Sequence, residues 1–254
     1  MQTSHDAVVE RQFGPRADAY VTSAAHATGP DLDRIAAIAS GLPDADTLDI
    51  GCGGGHAAYR AAAHVRSVVA CDLSPAMLGA VAAEAARRGL ANLATREAAA
   101  ERLPFADDRF DLTLCRMSAH HWRDWEAGLR EARRVTRRGG TALFIDTIAP
   151  ADPLVDTHLQ AIELLRDPSH VRNRRIDEWV AALQRAGFAV ERIGTHRLPL
   201  DFAAWVARMR TPDSHVAAIR SLQAGASDVV RSALDYATDG SFTIEVGTFE
   251  LIAI

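Results

Sequence analysis

The chain has 254 residues, of which 48% are hydrophobic and 24% charged, so it can form one large α/β domain or a domain with a small cap. Its formal net charge of -5 gives no overall attraction to phosphate backbones, and we expect no nucleic-acid partner. No apolar run reaches the roughly 18 to 20 residues of a membrane span, and the first residues lack the features of a signal peptide. We therefore expect no membrane span and a cytoplasmic location.

All 28 basic side chains are arginine, because the sequence contains no lysine. Schiff-base chemistry and a Walker A phosphate loop both need a lysine and are excluded. The cysteines are Cys52, Cys71 and Cys115, and each lies in or beside an apolar, strand-like segment. This favours reduced, buried thiols over disulfides or a metal cluster, with a catalytic thiol as the less favoured alternative. We expect no metal site.

Residues 1–40 are predicted to be mostly helical, and from about Thr47 short apolar runs alternate with alanine-rich stretches. That alternation is typical of a parallel sheet with helices on both faces. Strands are predicted at 47–50, 67–72, 93–97, 111–116 and 141–148. Helices are predicted at 56–64, 75–88 and 125–137, the last ended by Gly139-Gly140.

After Pro150, further helical segments alternate with strands predicted at 188–200 and 242–254. We predict one domain over residues 1–254, with a helical lid (1–40), a core (41–150) and a final part of cap helices and strands (151–254). The fold class is α/β: a Rossmann-like, doubly wound, seven-stranded and mostly parallel sheet. A helical cap comes from the amino-terminal segment and carboxyl-terminal insertions.

A glycine-rich turn, Asp49-Ile50-Gly51-Cys52-Gly53-Gly54-Gly55, leaves the first strand and opens a helix. Glycines let such a turn pass close beneath a ligand, and the start of a helix offers unpaired N–H groups. About twenty residues later the next strand ends in Asp72, where a carboxylate can accept hydrogen bonds from ribose hydroxyls. The order of these elements predicts a nucleoside site.

The glycine pattern also distinguishes between nucleoside ligands. A dinucleotide site would have G-x-G-x-x-G around a pyrophosphate, whereas this turn has D-x-G-x-G-x-G. Asp49 would repel an anion and attract a cationic amino-acid head group. The pattern favours S-adenosylmethionine (AdoMet) over NAD, which leaves an NAD-dependent oxidoreductase as the weaker alternative.

Four segments in order, LDIGCGGG, CDLSPAML, ERLPFADDRFD and ARRVTRRGGTALF, resemble the successive motifs of class I AdoMet-dependent methyltransferases. They are most similar to the group that includes quinone-biosynthesis C-methyltransferases. A further likeness to a bacterial methyltransferase subgroup is carried by QFGPRADAY, SAHHWRDW, DPSHVRN and WVARMRTPD and covers most of the chain. The resemblance implies AdoMet as cofactor, S-adenosylhomocysteine as its product and no particular acceptor.

The resemblance assigns cofactor-binding roles residue by residue. Around the methionine part of AdoMet it places Asp49, Gly51, Gly53, Gly55 and Arg116. A surface ion pair is the alternative role of Arg116. Asp72 would bind the ribose, and Leu73 and Met77 would flank the adenine.

One stretch departs from the family pattern. Family members often have an acidic residue shortly before the LPF segment to bind the adenine amino group, but this chain has Ala98-Ala99-Ala100. Backbone groups of Ala99 and Ala100 remain for that role, with Glu101 as a weaker candidate.

The segment Ser118-Ala119-His120-His121-Trp122 follows the fourth strand and therefore lies at the edge where ligands bind in open α/β sheets. Histidine suits the removal of a proton from a methyl acceptor at neutral pH. We therefore take His121 and His120 as candidate bases and Trp122 as a substrate contact. The alternative is that both histidines are structural, and a metal site is less favoured than either.

Residues outside the core could complete the site. In the amino-terminal segment Tyr20 could cover the cofactor and His26 the acceptor, or the segment could simply pack its first helix. In the carboxyl-terminal insertion several side chains could line an acceptor pocket or serve ordinary surface and core roles. These are Arg172, Arg174, Trp205, Arg208 and Arg210.

The sequence thus predicts a methyltransferase for a small-molecule acceptor, with C-, O- and N-methylation all open. The residues after the fourth strand lack the Asn-Pro-Pro-Tyr type of motif that marks methylation of DNA or protein nitrogen atoms. An AdoMet-binding protein without turnover is the alternative from a different class of function. The oligomeric state stays open, a homodimer being one option.

Overall fold

The computed structural model describes residues 4–17 and 28–254. The α-helices within these ranges are α1 (His5–Phe13), α2 (Pro30–Ser40), α3 (His56–Ala62), α4 (Pro75–Arg87), α5 (Trp125–Val135), α6 (Pro153–Arg166), α7 (Ile176–Ala186), α8 (Phe202–Met209), α9 (Asp213–Ala224) and α10 (Asp228–Ala233). Short 3₁₀ segments occupy Gly14–Arg16 and Ala119–His121.

Seven strands form one sheet in the order β3-β2-β1-β4-β5-β7-β6. They are β1 (Asp46–Ile50), β2 (Ser67–Asp72), β3 (Leu93–Glu97), β4 (Phe110–Arg116), β5 (Thr136–Ile148), β6 (Phe188–Leu200) and β7 (Phe242–Ala253). The first five strands are parallel, and β7 runs antiparallel between β5 and β6. The predicted seven-stranded, mostly parallel α/β sheet is confirmed.

The central strands are buried because helices cover both faces of the sheet. All five residues of β1 are buried, as a strand between two helical layers requires. One apolar cluster packs α5 and α7 against one face, with Trp179 and Phe144 at its centre. A second cluster packs α2, α3 and α4 against the other face, around residues such as Ile35 and Val81.

A third apolar cluster holds the carboxyl-terminal helices together as a cap. It joins α6, α8, α9 and α10 to the first residues of β7 through buried side chains that include Leu159, Trp205 and Phe242. Trp205 is 2% exposed and contacts the ring of Phe242 edge-on, with 5.0 Å between centroids. The cap therefore has a core of its own, next to the sheet.

The helix predicted over 125–137 is shorter than expected. α5 ends at Val135, and β5 begins at Thr136, whose buried hydroxyl donates a hydrogen bond to the carbonyl of Ala132. Gly139-Gly140 consequently lies within β5 rather than after a helix. The β-branched Thr136 fits the pleated sheet better than a helix, which explains the earlier switch.

The strand order reverses between β1 and β4. The chain proceeds from β1 to β2 and β3 on one side, whereas β4 lies on the other side of β1. In open parallel sheets, ligands bind beside the carboxyl ends of strands at such a reversal. Here those ends are Ile50 and Arg116, which directs attention to the loops that follow them.

None of the helices in the described part of the chain has the length and apolar composition that crossing a membrane requires.

Trp179 offers a test of the packing on the α7 face. Its buried ring stacks on Phe249 and contacts Trp125 edge-on, with centroid distances of 5.1 and 4.9 Å. We expect Trp179→Ala to lower the free energy of unfolding by about 3–5 kcal/mol, because the substitution leaves a large cavity. Urea denaturation would measure this. Leu154→Ala is the control: this side chain is 53% exposed, so the free energy of unfolding should stay within about 0.5 kcal/mol of the wild-type value. Equal losses of stability in the two variants would contradict the packing role of Trp179.

Candidate active site

The glycine-rich turn joins β1 to α3 through backbone conformations that favour glycine. Gly51 and Gly53 have φ values of +65° and +48°. A Cβ on Gly51 would overlap the hydroxyl of Ser118, whereas a Cβ on Gly53 would meet nothing within 4 Å. The turn thus packs tightly on one side and faces open space on the other.

Asp72 lies at the end of β2, directly beside this turn. One of its carboxylate oxygens accepts a hydrogen bond from the N–H of Gly53 at 2.9 Å, and the other accepts from the N–H of Ser74 at 3.0 Å. Burial raises the pKa of Asp72, although these two amides oppose the rise. The carboxylate therefore fixes the turn and also borders the open space.

Asp49 is the most unusual polar residue of the site. Its side chain is fully buried, and neither carboxylate oxygen makes a well-formed hydrogen bond. Burial raises the pKa of Asp49 to about 7, against the opposing effects of the Ala58 amide and the Arg116 guanidinium. A buried carboxylate without such partners is unfavourable in the ligand-free protein, and this is typical of a binding site.

Arg116, the last residue of β4, lies on the same edge of the sheet. Its Nε donates a hydrogen bond to the carboxylate of Asp31 near the start of α2, and both side chains are largely buried. The ion pair holds the guanidinium at the reversal point of the strand order. The alternative role of Arg116 as a surface ion pair does not fit this burial.

These residues line one cavity, which is partly open to solvent. The predicted site residues in its wall are Asp49, Gly51, Gly53, Asp72, Leu73, Met77, Ala100, Arg116, His121 and Trp122. Other wall residues are Cys52, Ala98, Glu101, Met117 and Arg123. The glycine turn, the Asp72 strand end and the histidine segment are therefore brought together around one cavity.

Helix α1 supplies a wall that the sequence analysis missed. His5, Asp6, Val9 and Phe13 line the cavity, and His5 Nε2 donates a hydrogen bond to the carbonyl of His121 at 2.9 Å. Residues 5, 9 and 13 are four apart and so share one helix face. That spacing is the signal that could have identified them.

The histidine segment forms a 3₁₀ turn after β4 and places the two rings differently. His120 Nδ1 lies 2.5 Å from the Asp146 carboxylate. His121 Nδ1 lies 3.1 Å from the carbonyl of Ser169, which can only accept, so this nitrogen carries the proton. The ring centroids of the pair are 4.1 Å apart.

The two histidines differ in pKa for identifiable reasons. Burial lowers the pKa of His120, but the adjacent Asp146 carboxylate more than offsets this, so the net shift is upward. Burial and the neighbouring His120 together hold the pKa of His121 well below its usual value. At neutral pH His121 is therefore a neutral imidazole whose Nε2 is unprotonated. Among the described residues, no three His, Cys, Asp or Glu side chains are grouped so that they could hold a metal ion.

Trp122 is held in place on several sides. Its Nε1 donates a hydrogen bond to the hydroxyl of Ser118 at 3.3 Å, and its ring contacts Phe144 edge-on. A Cβ on Gly128 would overlap the same ring, so α5 needs glycine there to approach it. Trp122 thus presents a rigid apolar surface to the cavity.

Other predicted site residues lie away from the cavity wall. They are Gly55, Ala99, His120, Arg172, Trp205 and Arg210. Gly55 precedes α3 with φ +79°, where a Cβ would meet Tyr59, so its role is conformational. Ala99 is bridged to Arg102, and among the alanines of that stretch Ala98 and Ala100 face the cavity.

Three of the five carboxyl-terminal candidates, Arg172, Trp205 and Arg210, have structural roles. Arg172 forms an ion pair with Asp156 at 2.8 Å. Trp205 belongs to the cap core, and Arg210 ends α8 in a left-handed conformation. The composition of this segment was equally compatible with a pocket wall. In the structure, these side chains instead form an ion pair, pack the cap core and end a helix. Tyr20 and His26 lie outside the described residues.

The comparisons agree with this geometry. A family model described as a methyltransferase domain matches residues 48–144. The uncharacterized protein YafE of Escherichia coli strain K12 is 46% identical over 192 residues, which cover 76% of this chain and 93% of YafE. The uncharacterized methyltransferase YcgJ of Bacillus subtilis is 34% identical over 203 residues, 80% of each chain. The crystal structure of YcgJ superposes with a TM-score of 0.84, 31% identity, and coverage of 88% of this chain and 97% of YcgJ.

A relative whose name states its activity is similar to a shorter part of this chain. The demethylmenaquinone methyltransferase of Chlorobaculum parvum is 33% identical over 109 residues, 42% of this chain and 43% of that enzyme. The sheet, the glycine turn and these similarities lead to one conclusion. The chain belongs to the class I AdoMet-dependent methyltransferase family.

The raised pKa of Asp49 predicts how stability depends on pH. Because the folded state favours the protonated carboxyl, the stability it contributes is lost as the pH rises from about 4, the pKa of an unfolded aspartate, through about 7. Asp49→Asn, which is isosteric with the protonated form, should therefore stabilise the ligand-free protein at pH 8 by about 1–3 kcal/mol. At pH 5 this gain should shrink to less than half. Chemical denaturation at both pH values measures it, and a variant less stable than the wild type at pH 8 would contradict the account.

Proposed function

We propose that this methyltransferase binds AdoMet across the carboxyl edge of the sheet and methylates a small molecule held in the adjoining part of the same cavity. The observation that carries the proposal is the buried Asp49 carboxylate, whose oxygens lack well-formed hydrogen bonds, beside a glycine-rich turn that faces open space at Gly53. AdoMet supplies an electrophilic methyl group on a sulfonium sulfur when bound. Family membership supports the reaction class, and the cavity supports the binding mode.

The residues present fit this cofactor. Asp49 would accept hydrogen bonds from the ammonium group of the methionine part, which satisfies its otherwise unpartnered oxygens. Arg116 would bind the carboxylate of that part, and Asp72 the ribose hydroxyls. Leu73 and Met77, which line the cavity just beyond β2, would flank the adenine.

The Ala98-Ala99-Ala100 stretch, which departs from the family pattern, would still contribute to adenine binding. Ala98 and Ala100 line the cavity on the adenine side of Asp72, and Glu101 lies beside them. Glu101 accepts a hydrogen bond from the backbone N–H of Asp124 at 3.2 Å, so its carboxylate is partly engaged. Backbone groups of Ala100 would then recognise the adenine edge, in place of the family's acidic side chain.

The remaining cavity wall suits a small acceptor with an apolar body. Val9 and Phe13 of α1, Met117 and Trp122 provide apolar surface, and His121 provides a polar group among them. A pocket of mostly apolar walls with few polar groups is typical of small-molecule sites. The similarity to the Chlorobaculum enzyme covers 42% of this chain and supports methyl transfer rather than a particular acceptor.

We assign proton removal from the acceptor to His121. Its ring lines the cavity, its Nδ1–H is held by the carbonyl of Ser169, and its unprotonated Nε2, which lies 4.0 Å from Asp167 Oδ2, would act as the base. The acceptor's nucleophilic atom would give its proton to Nε2 as its bond to the methyl carbon forms. Trp122 and Phe13 limit the space beside His121, which favours one orientation of the acceptor.

The chain has an arginine-rich run at 133–138, made of Arg133, Arg134, Arg137 and Arg138, and its contacts also suit a small-molecule acceptor. Arg133 donates hydrogen bonds to the carbonyl of Ile254, and Arg134 is paired with Glu131 and Asp107. These arginines join elements of the chain to one another. They therefore argue against the run as a surface for phosphate backbones.

Asp72 gives a test of cofactor binding. Asp72→Ala should weaken the binding of S-adenosylhomocysteine by about 1–3 kcal/mol, because ribose hydroxyls lose their acceptor. Isothermal titration calorimetry measures the change. Asp107→Ala, at an exposed carboxylate, is the matched control and should bind as the wild type does. Equal affinities for the two variants would remove the ribose role of Asp72.

His121 gives a test of the chemistry. With methyl-labelled AdoMet and a bacterial small-molecule extract as the source of acceptor, His121→Ala should transfer label at least about 100-fold more slowly. Its affinity for S-adenosylhomocysteine should be nearly unchanged. His64→Ala, at an exposed histidine beyond α3, is the control. Full activity of the His121 variant would remove its role as base, and no labelled product from the wild type would count against the acceptor class.

A further inference from the structure

The adjacent histidines lie among buried carboxylates that sequence order does not suggest. Asp146 comes from β5, Glu163 from α6, and Asp167 from the loop after α6. All three are almost fully buried. Burial raises the pKa of Glu163, whereas Asp146 and Asp167 lie closest to the two rings. A carboxylate beside an imidazole favours the protonation of that ring.

Asp146 is held rigidly against one member of the pair. It is 1% exposed, and its two oxygens receive the N–H of Thr147 at 2.8 Å and the N–H of His120 at 3.2 Å. Its Oδ1 also receives Nδ1 of His120 at 2.5 Å. The carboxylate therefore contacts both the backbone and the ring of His120, which fixes that ring.

Asp167 lies on the other side and is engaged differently. Its Oδ1 accepts hydrogen bonds from the N–H and the hydroxyl of Ser169, at 2.9 and 2.5 Å. Its Oδ2 lies 4.0 Å from Nε2 of His121, beyond hydrogen-bond distance. His121 is therefore bound by the Ser169 carbonyl rather than by a carboxylate.

We propose that Asp146 is a positioning residue that holds His120 as the charged member of the histidine pair and so keeps His121 neutral, with its Nε2 free for the acceptor. This inference rests on the proposed role of His121 as the base. Asp146 acts through His120, and neither needs to touch the acceptor. His120 lies behind the cavity wall, where a charged ring can influence His121 without binding a ligand.

The physical reason is repulsion between like charges at short range. With 4.1 Å between ring centroids, a second positive charge on the pair is strongly disfavoured in a buried site. Asp146 decides which ring is charged, because it raises the pKa of His120, and the charge on His120 lowers the pKa of His121. Without this arrangement, Asp167 would favour protonation of His121 itself.

Within residues 4–17 and 28–254, the titratable groups that face the pair come from several elements. On β5 it is Asp146, on α6 Glu163, and on the following loop Asp167 and His170, whose ring centroid lies 5.8 Å from that of His120. From α1, His5 reaches the backbone carbonyl of His121. The pKa of His170 is held far below its usual value by burial and by His120, so it carries no charge at neutral pH.

The test is nitrogen-15 NMR of the imidazole rings in the full chain without ligand, at pH 6.5. We expect a doubly protonated His120 and a neutral His121 that is protonated only at Nδ1. In Asp146→Asn the side-chain amide can donate to Nδ1, so His120 should become neutral. The pH midpoint of His121 should then rise by about one pH unit. A neutral His120 in the wild type, or an unchanged His120 in the variant, would overturn the proposal.

Two further variants make the result decisive. His120→Gln removes the positive charge directly and should raise the midpoint of His121 by a similar amount, so it serves if Asp146→Asn does not fold. In the double variant, Asp146→Asn with His120→Gln, the pH midpoint of His121 should rise no further than in either single variant, because both substitutions remove the same interaction. Asp46→Asn is the matched control: this buried carboxylate at the start of β1 pairs with Arg66 and Arg109, and its loss should leave both histidines unchanged. A midpoint of His121 unchanged in His120→Gln would contradict the proposal.

Activity separates this inference from the assignment of the base. In Asp146→Asn the acid limb of the pH profile of label transfer should move upward by about one pH unit, while transfer at pH 8 should fall less than in His121→Ala. If NMR shows the expected charges but His121→Ala is fully active, then His121 is not the base, and the proposed charges of His120 and His121 still hold. Slow transfer by His121→Ala together with an unmoved acid limb in Asp146→Asn would overturn the role of Asp146 alone.

Discussion

The burial of the Asp49 carboxylate is the constraint on which the rest of the site depends. It sits at the end of a strand that helices cover on both faces, so water cannot solvate it, and no side chain pairs with it. Such a group destabilises the ligand-free fold and is retained where a ligand uses it. The glycine turn is the structural counterpart, because a side chain at Gly53 would enter the open space that a cationic ligand needs, and one at Gly51 would collide with Ser118.

Charge is distributed across the cavity in a consistent way. Arg116 is held by Asp31 on one side of Asp49, and Asp72 is held by backbone amides on the other. Farther along the same edge of the sheet, His120 of the histidine pair contacts the carboxylate of Asp146. Arg116, Asp72 and His120 are thus each fixed by a partner within the protein, which keeps this part of the cavity organised before any ligand binds. Val9, Phe13 and Trp122 provide apolar surface along another part of the same cavity.

The sequence predicted the central strands well because they are buried on both faces, and mostly apolar stretches such as 68–71 and 112–115 indicate that burial directly. The turn and Asp72 could be located because their roles depend on local spacing. Contacts between distant segments could not be predicted: His120 meets a carboxylate 26 residues away, and α1 reaches the cavity only through the tertiary fold. Trp205 was wrongly predicted to contact the substrate, because the local sequence around an aromatic residue in a cap is the same whether the residue packs a core or lines a pocket.

The most direct test is the number of protons released when S-adenosylhomocysteine binds. Calorimetric titrations in buffers of different ionisation enthalpy measure that number. If the ammonium group of the ligand meets Asp49, a carboxyl with a pKa of about 7 must ionise on binding, so about 0.9 proton should leave at pH 6 and almost none at pH 9. Asp49→Asn should abolish the release. Tight binding with no proton released at either pH would contradict the account.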